Sequence, residues 1–404
     1  MLSQKSIDII KSTVPVLEVT GVEITTEFYK TLFEAHPELL NIFNQANQKQ
    51  GRQQTALANT VYAAAQNIEN LKSIVPVVER IAHKHRSLGV KPEHYPIVGE
   101  YLLKAIKTVL KEDATDEILQ AWEEAYGIIA NVFISVESEM YDEAKSQKNG
   151  WEGFKDFTIT KKVKESSLIT SFYFQPNDQS NVPSYLPGQY ITIRLLMQGQ
   201  EYTQIRHYSL SSAYTPGGYR ISVKREGENN PNGQMSTYLH DKLNVGDSVE
   251  LTVPAGDFYC DVEESTPIAL ISGGVGVTPM YSMLESITEK NPSRPVTFVH
   301  AARNKEVHAF SKDVMQNISR LENGKSYIVY EQDSSECDFN GYLNSDILGE
   351  VIDQDSVCYV CGPPPFMAGV IQALVEIGIQ QERIHYEFFG AALALEKNSK
   401  VSTN

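Results

Sequence analysis

The spacing of apolar residues changes twice along this 404-residue chain, and each change narrows what it can fold into. Up to about residue 148 they recur three and four apart: Ile24, Phe28 and Leu32; Leu57, Val61 and Ala64; Leu102, Ile106 and Val109 with Leu110; Ile129, Phe133 and Val136. A helix turns about 100° per residue, so each set lines one helix face, and residues 1–148 read as an all-α unit. Asp113 and Thr115 precede such a run, while Pro37, Pro92 and Pro96 are expected to break helices. After SQKNGWEGF (146–154) the period falls to two. QYITIRLL, YRISVKRE and SVELTVPAG alternate between PGQ and TPGGY turns, which predicts a small antiparallel β-barrel over residues 151–262. From 263 the strands become continuous apolar runs, PIALIS, PVTFVHA, YIVYE and VCYVCG, separated by helical stretches at 278–290 and 364–378. Strands buried on both faces with helical crossovers mean an α/β unit with a parallel sheet over residues 263–404. The tail from Ala391 onward is expected to be loosely held.

Composition excludes several classes. With 41% apolar and 21% charged residues the chain has enough apolar surface for three cores, and disorder is excluded. Fifty-one acidic against 35 basic residues give a net charge of −16, which argues against nucleic acid or an anionic membrane as the main partner. The start, MLSQKSIDIIK, has no apolar stretch of signal type, and no apolar run approaches the roughly 18 residues of a membrane span. A cytoplasmic chain is the expectation. Four cysteines make no disulfide framework. Cys358 and Cys361 form a C-x-x-C, but VCYVCGPPPF reads as a buried strand entering a proline-rich turn. A redox pair would open a helix, and a zinc site would need a second ligand pair.

RIAHKHRSLG (80–89) places two histidines on nearly opposite sides of one helix. His85 shares its face with Val78, Ile81 and Leu88, whereas His83 lies with Glu79, Arg80 and Arg86 on a face expected to be solvated. A histidine on an apolar face is more often a core residue than a ligand. A ligand role for His85 therefore needs a reason from the rest of the chain.

The α/β unit supplies the first part of it. In ISGGVGVTPM (271–280), Gly273, Gly274 and Gly276 allow a tight turn, and a helix opens at Thr278-Pro279. Its free amides and positive dipole suit a phosphate. The turn is not G-x-G-x-x-G. It resembles the nicotinamide-nucleotide site of the ferredoxin-reductase family, as does CGPPPFM (361–367), while RHYSL (206–210), NGQMS (232–236) and PGQY (187–190) resemble that family's flavin-binding segments. The resemblance implies that Gly273, Gly274, Val275, Gly276, Val277, Thr278 and Pro279, with Cys361, Gly362 and Pro363, hold NADH or NADPH. It implies FAD at Tyr190, Arg206, His207, Tyr208 and Ser209, with Gly233, Gln234, Met235 and Ser236 as a second pyrophosphate contact. Arg206 would neutralise the pyrophosphate, and Tyr208 and Ser209 would lie along the isoalloxazine. HYEFFG (385–390) resembles a family segment in which the aromatic residue, here Phe389, covers the flavin before Gly390. The chain departs from the pattern at His207, often Gln, and at Ala391, usually Pro.

NAD(P)H delivers two electrons as hydride, and FAD can release them singly. No cysteine cluster in the helical unit offers an iron–sulfur site, and no C-x-x-C-H offers covalent haem. A non-covalent haem b, its iron held by His85, fits. HPELLNIF (36–43) resembles a globin at its second-to-third helix corner, and the chain from end to end resembles the flavohaemoglobins. That resemblance implies Phe43 packing on the haem, Gln53 and Leu57 on the distal wall, Tyr29 directed at bound O₂, and Lys84, Tyr95 and Glu137 on the proximal side. A carboxylate on His85 would strengthen its donation to iron. By periodicity alone Glu137 fits a solvated face equally well, and Tyr95 fits a helix-end packing residue. The family converts nitric oxide to nitrate with O₂ and NAD(P)H, so these are the expected substrates, on a monomeric chain. The same cofactors would also serve a reductase of peroxides, nitrite or ferric chelates, or a haem-based gas sensor or oxygen store kept ferrous. Arg303, after the VHAA strand, fits either a 2′-phosphate contact or a surface position, which leaves NADH and NADPH both open.

Overall fold

The computed structural model describes residues 2–43, 48, 51–227, 233–332 and 335–389. The helical unit consists of α1 (Gln4–Ala35), α2 (Arg52–Gln66), α3 (Val75–Leu88), α4 (His94–Leu110) and α5 (Asp116–Ser146). Ser3 caps α1 by accepting the Ser6 amide, and Thr115 caps α5 by accepting that of Ile118. α1 continues through Pro15. Pro37 opens a short 3₁₀ turn, as a helix break should, but Pro96 lies in the first turn of α4. The amide that proline lacks there would have had no intrahelical partner. Ile24, Phe28, Leu32, Leu102 and Ile106 fill the core as their spacing predicts. Gly21 lets α2 approach α1 closely, with the Ala58 methyl in contact range of a Cβ there.

The second unit is one antiparallel sheet of β1 (Phe154–Lys164), β2 (Ile169–Pro176), β3 (Tyr190–Leu195), β4 (Gln204–Ser209), β5 (Tyr219–Lys224) and β6 (Ser248–Thr252). Its order is β4-β3-β6-β1-β2-β5. The short helix α6 (Gln234–Asp241) closes one end, its Met235 and Leu239 packed among Phe157, Phe172, Ile191 and Leu251.

In the third unit β7 (Ile268–Gly273), β8 (Val296–Ala302), β9 (Gly324–Tyr330), β10 (Phe339–Asn340), β11 (Val357–Cys361) and β12 (Ile384–Glu387) pair in parallel, in the order β10-β9-β8-β7-β11-β12. The crossovers include α7 (Val277–Lys290), α8 (Ser311–Ile318), α9 (Ser345–Val351) and α10 (Pro364–Glu376). The chain winds outward from β7 to β10, then returns to β7's other side with β11. Such a reversal opens a crevice at the carboxyl ends of β7 and β11, where open parallel sheets bind ligands. Cys358 and Cys361 are buried on β11, and burial pushes the Cys358 thiol up to about 12. No helix among the described residues is long and apolar enough to cross a membrane.

Two buried histidines make the third unit acid-sensitive. His300 Nδ1 bonds Ser272 Oγ at 2.8 Å, His308 Nδ1 bonds Tyr330 OH at 3.0 Å, and the rings lie 4.5 Å apart. Burial pushes His308 down to about 4 and His300 further, with the charge of His308 adding to the latter. Below about pH 6.5 the unfolded chain takes up protons that the native state refuses, so stability is lost as pH falls from there towards 4. His308→Gln is expected to flatten the fall of the unfolding midpoint over that window by up to about one proton, roughly 1.4 kcal/mol per pH unit. Circular dichroism melts at pH 7, 6 and 5 check this, and an unchanged slope would count against it.

Candidate active site at the junction of the three units

α3 ends one turn after His85, at Gly89, whose φ of +81° allows the left-handed cap. His85 Nδ1 donates to Glu137 Oε1 at 2.7 Å, and Tyr95 OH donates to the same oxygen at 2.6 Å. Glu137 is only 3% exposed, so the solvated-face alternative for this residue is wrong. It shares the inward stripe of α5 with Ala130 and Phe133, and two donors satisfy the carboxylate there. Burial, then the hydrogen bond to Glu137, push the Tyr95 phenol well above its ordinary value, so it stays a donor. Tyr126, on the same stripe, donates from its hydroxyl to the Tyr95 carbonyl at 2.6 Å. Gly99 makes room for that ring, since a Cβ there would stand 2.5 Å from Tyr126 Cε1. Tyr126 was missed in the sequence, although its spacing from Phe133 and Glu137 is helical. With Nδ1 committed, Nε2 is the His85 nitrogen left for an iron, so the residues present fit a haem.

Across the helical unit, Tyr29 of α1 is buried with Phe43 edge-on at 5.8 Å and Phe33 nearly parallel at 5.8 Å. Burial raises its phenol well above the ordinary value, opposed by hydrogen bonds to Gln53 and Gln48. Gln53 and Leu57 lie in the first turns of α2, both half-buried. The structure thus brings Tyr29, Phe43 and Gln53 together, with Leu57 one turn beyond Gln53.

On the sheet, Tyr190 of β3 pairs with Ser209 of β4, and Thr192 with His207. The Tyr190 and His207 rings lie 4.8 Å apart, and Thr192 Oγ1 bonds His207 Nδ1 at 2.8 Å. Gly256 leaves no room for a side chain against the Tyr190 ring. Arg206 donates to the Ile205 carbonyl at 2.6 Å and has no carboxylate within ion-pair distance among the described residues. Such a cation fits a phosphate, and Tyr208 alternates with His207 beside it. Gly233 precedes α6, and Gln234, Met235 and Ser236 form its first turn. Ser236 Oγ accepts the Glu226 amide and donates to the Gly233 carbonyl. Met235, 1% exposed, is a core side chain, which leaves only its main chain to face a ligand.

At the crevice of the third unit, β7 and β11 pair Ser272 with Cys361, so both of their terminal turns meet. A Cβ on Gly276 would run into the Cys361 carbonyl, one on Gly273 would meet the Phe366 ring at 2.9 Å, and one on Gly362 the same ring at 2.5 Å. Gly274 has φ +54°. Val277, Thr278 and Pro279 form the buried first turn of α7, where Thr278 Oγ1 donates to the Val275 carbonyl, and Pro363 precedes α10. These close backbone approaches suit a dinucleotide phosphate.

One charge acts across all three units. Burial, then Lys84 and Arg206, push His207 down to about 3. Burial pushes Glu387 of β12 up to about 8, opposed first by Lys84. The charge of Lys84 on α3 acts on both. Glu387 Oε2 is buried with no hydrogen-bond partner among the described residues. The residue lies in the quoted HYEFFG, but sequence reasoning passed over it for Phe389, which is 46% exposed. Gly390 and Asn232 lie outside the described residues.

The His83 face of α3 also departs from expectation. Arg86 is 8% exposed and donates to the Pro254 carbonyl at 2.6 Å, His83 is half-buried, and burial lowers its pKa. Arg86 and His83 dock on the sheet unit, whereas Glu79 and Arg80 stay exposed as expected, Arg80 reaching Asp257 at 3.4 Å. Asn41 adds a second clasp, accepting from the Thr203 amide and hydroxyl.

Fold and site together define a globin joined to a flavin- and nicotinamide-binding reductase. The Globin family matches residues 26–133, the Oxidoreductase FAD-binding domain residues 156–259, and the Oxidoreductase NAD-binding domain residues 270–372. The Flavohemoprotein of Bacillus thuringiensis subsp. konkukian is 52% identical over 98% of this chain and 100% of its own length. The chain belongs to the flavohemoprotein family. A flavohemoglobin from Malassezia yamatoensis, solved with bound FAD and heme, superposes with a TM-score of 0.87 at 28% identity, over 96% of this chain and all of that one. The FAD/NAD-binding domain of nitric oxide dioxygenase from Vibrio cholerae matches 58% of this chain and 98% of its own, at 40% identity and a TM-score of 0.55.

Proposed function

We propose that the chain is a nitric oxide dioxygenase, converting nitric oxide and O₂ to nitrate with electrons drawn from NADH or NADPH. The observation that carries this reading is the Tyr95–Glu137–His85 relay. A carboxylate holding the Nδ1 proton makes Nε2 a stronger donor to iron, which favours O₂ activation over storage. When bound, haem b supplies the iron at which the two gases react, and FAD turns a hydride into single electrons. The chain's own residues do the rest. Residues 1–148 form the haem unit, 151–262 the FAD unit and 263–404 the nicotinamide unit. Tyr29, kept protonated by burial, keeps its hydroxyl proton available as a donor on the distal side, with Gln53 beside it. Phe43 and Leu57 keep that side apolar. Arg206 and the first turn of α6 take the flavin pyrophosphate, while the glycine turn and first turn of α7 take the nicotinamide dinucleotide. Lys84 stands between the flavin and haem units. All sites lie on one chain, so it works as a monomer, in the cytoplasm.

The test is consumption of nitric oxide in air-saturated buffer with NADH, followed by electrode, with nitrate assayed at the end. Fast, O₂-dependent loss with stoichiometric nitrate is expected. His85→Ala should abolish it while NADH still reduces the flavin. Survival of nitric oxide while NADH oxidation continues would overturn the reading in favour of a sensor or store.

A further inference from the structure

Reduction of a flavin by a nicotinamide requires two rings, held by different units, to meet in register. The structure shows a set of contacts that joins the end of β4 to the third unit. β4 carries Arg206, His207, Tyr208 and Ser209, and its continuation, residues 210–213, runs onto α7 of the third unit. Ser282 Oγ donates to the Ser212 carbonyl at 2.6 Å, and the Ala213 amide donates to Glu285 Oε2 at 2.6 Å. The other carboxylate oxygen, Oε1, accepts from Tyr281 OH at 3.2 Å. Arg220 of β5 faces the same carboxylate at 3.9 Å and donates to the Ser211 carbonyl. Its guanidinium lies over the rings of Tyr281 (5.1 Å) and Phe310 (5.4 Å), which stack on each other at 4.8 Å, 6° from parallel. Phe310 holds a left-handed backbone, φ +61°, which a bulky residue adopts only where packing enforces it. α7 begins at the glycine turn, two turns before Glu285, and a rigid helix transmits position over that distance.

We propose that the Arg220–Glu285 clasp is a positioning device for hydride transfer, holding α7 and its glycine turn in register with the flavin strand β4. The proposal rests on the flavin and nicotinamide assignments above. Among the described residues neither side chain has a hydrogen bond or ion pair to residues 206–209 or 273–276, so both act through α7 and residues 211–213.

The full chain, loaded with FAD and haem, is mixed anaerobically with NADH in a stopped-flow instrument, and flavin reduction is resolved from haem reduction. In Glu285→Gln and in Arg220→Met, flavin reduction at saturating NADH is expected to slow roughly 10- to 100-fold, as for about 1 Å of misplacement. Flavin-to-haem transfer and NADH affinity should stay within about twofold, a split between the rate and binding constants. Amide hydrogen exchange should rise in residues 210–213 and 277–283 and stay unchanged in β1 and β6. Unchanged flavin reduction in both variants overturns the clasp alone, as does an equal slowing of both electron steps or a rise in exchange throughout the chain. A parent protein whose flavin ignores both NADH and NADPH overturns the assignment of the third unit and the clasp with it.

Discussion

Glu137→Gln is expected to lower nitric oxide consumption by roughly 10- to 100-fold with haem retained. Both donors, His85 Nδ1 and Tyr95 OH, bond the same carboxylate oxygen, Oε1. A glutamine can present its amide oxygen to both, so the geometry survives and only the negative charge is lost. That charge is what makes Nε2 more basic, so its loss should appear as a lower iron–histidine stretching frequency and a higher haem potential. Glu137→Leu separates charge from hydrogen bonding. It leaves both donors without their acceptor in a buried site, at about 1–3 kcal/mol for each unsatisfied group, and should weaken haem binding as well. Tyr95→Phe should act more mildly, because the His85–Glu137 bond remains. Wild-type turnover and an unshifted stretching frequency in Glu137→Gln would reduce Glu137 to a packing residue.

Gly276→Ala is expected to abolish reduction of the flavin by NADH while dithionite still reduces the haem. The added methyl would occupy the space of the Cys361 carbonyl, with Gly362 N next to it. Both neighbours are main chain at the end of a buried strand and cannot swing aside. Overpacking of this kind costs typically about 1–3 kcal/mol and displaces backbone. Here the displaced backbone is the dinucleotide turn itself. Gly274→Ala is the control, because its Cβ would meet open space and only the positive φ of +54° is strained. That change should cost about 1–2 kcal/mol, with most of the reduction rate kept. Loss of the oxidised-flavin absorbance on mixing with NADH reads both variants. Equal rates in the two would mean that the turn does not have to touch β11.

The sequence was informative wherever a single segment contains its own physical cause. The period of three and four placed Phe28, Leu32 and Ile106 in a helical core, the period of two placed Ile191 and Leu251 in a sheet, and the unbroken run at 268–272 placed β7 at a sheet centre. Gly273 and Gly276 marked a tight turn, because a Cβ at either would collide with its neighbours. Helix ends were legible to within a residue or two, as at α7 and α10, and Pro96 misled because a proline suits a first turn as well as a break.

Tertiary structure alone decided which of those segments meet. Glu137 lies 52 residues from His85, and its neighbours allowed a solvated reading until α5 turned that face inward. Arg86 and His83 looked solvated until the sheet unit covered them, and Glu387 was one letter in a strand until it was buried within reach of Lys84, Asp257 and Arg80. Period, turn and cap are set by a residue and its near neighbours, so residue order determines them. A polar group's partner is set by which apolar faces bury against each other, and residue order does not state that packing.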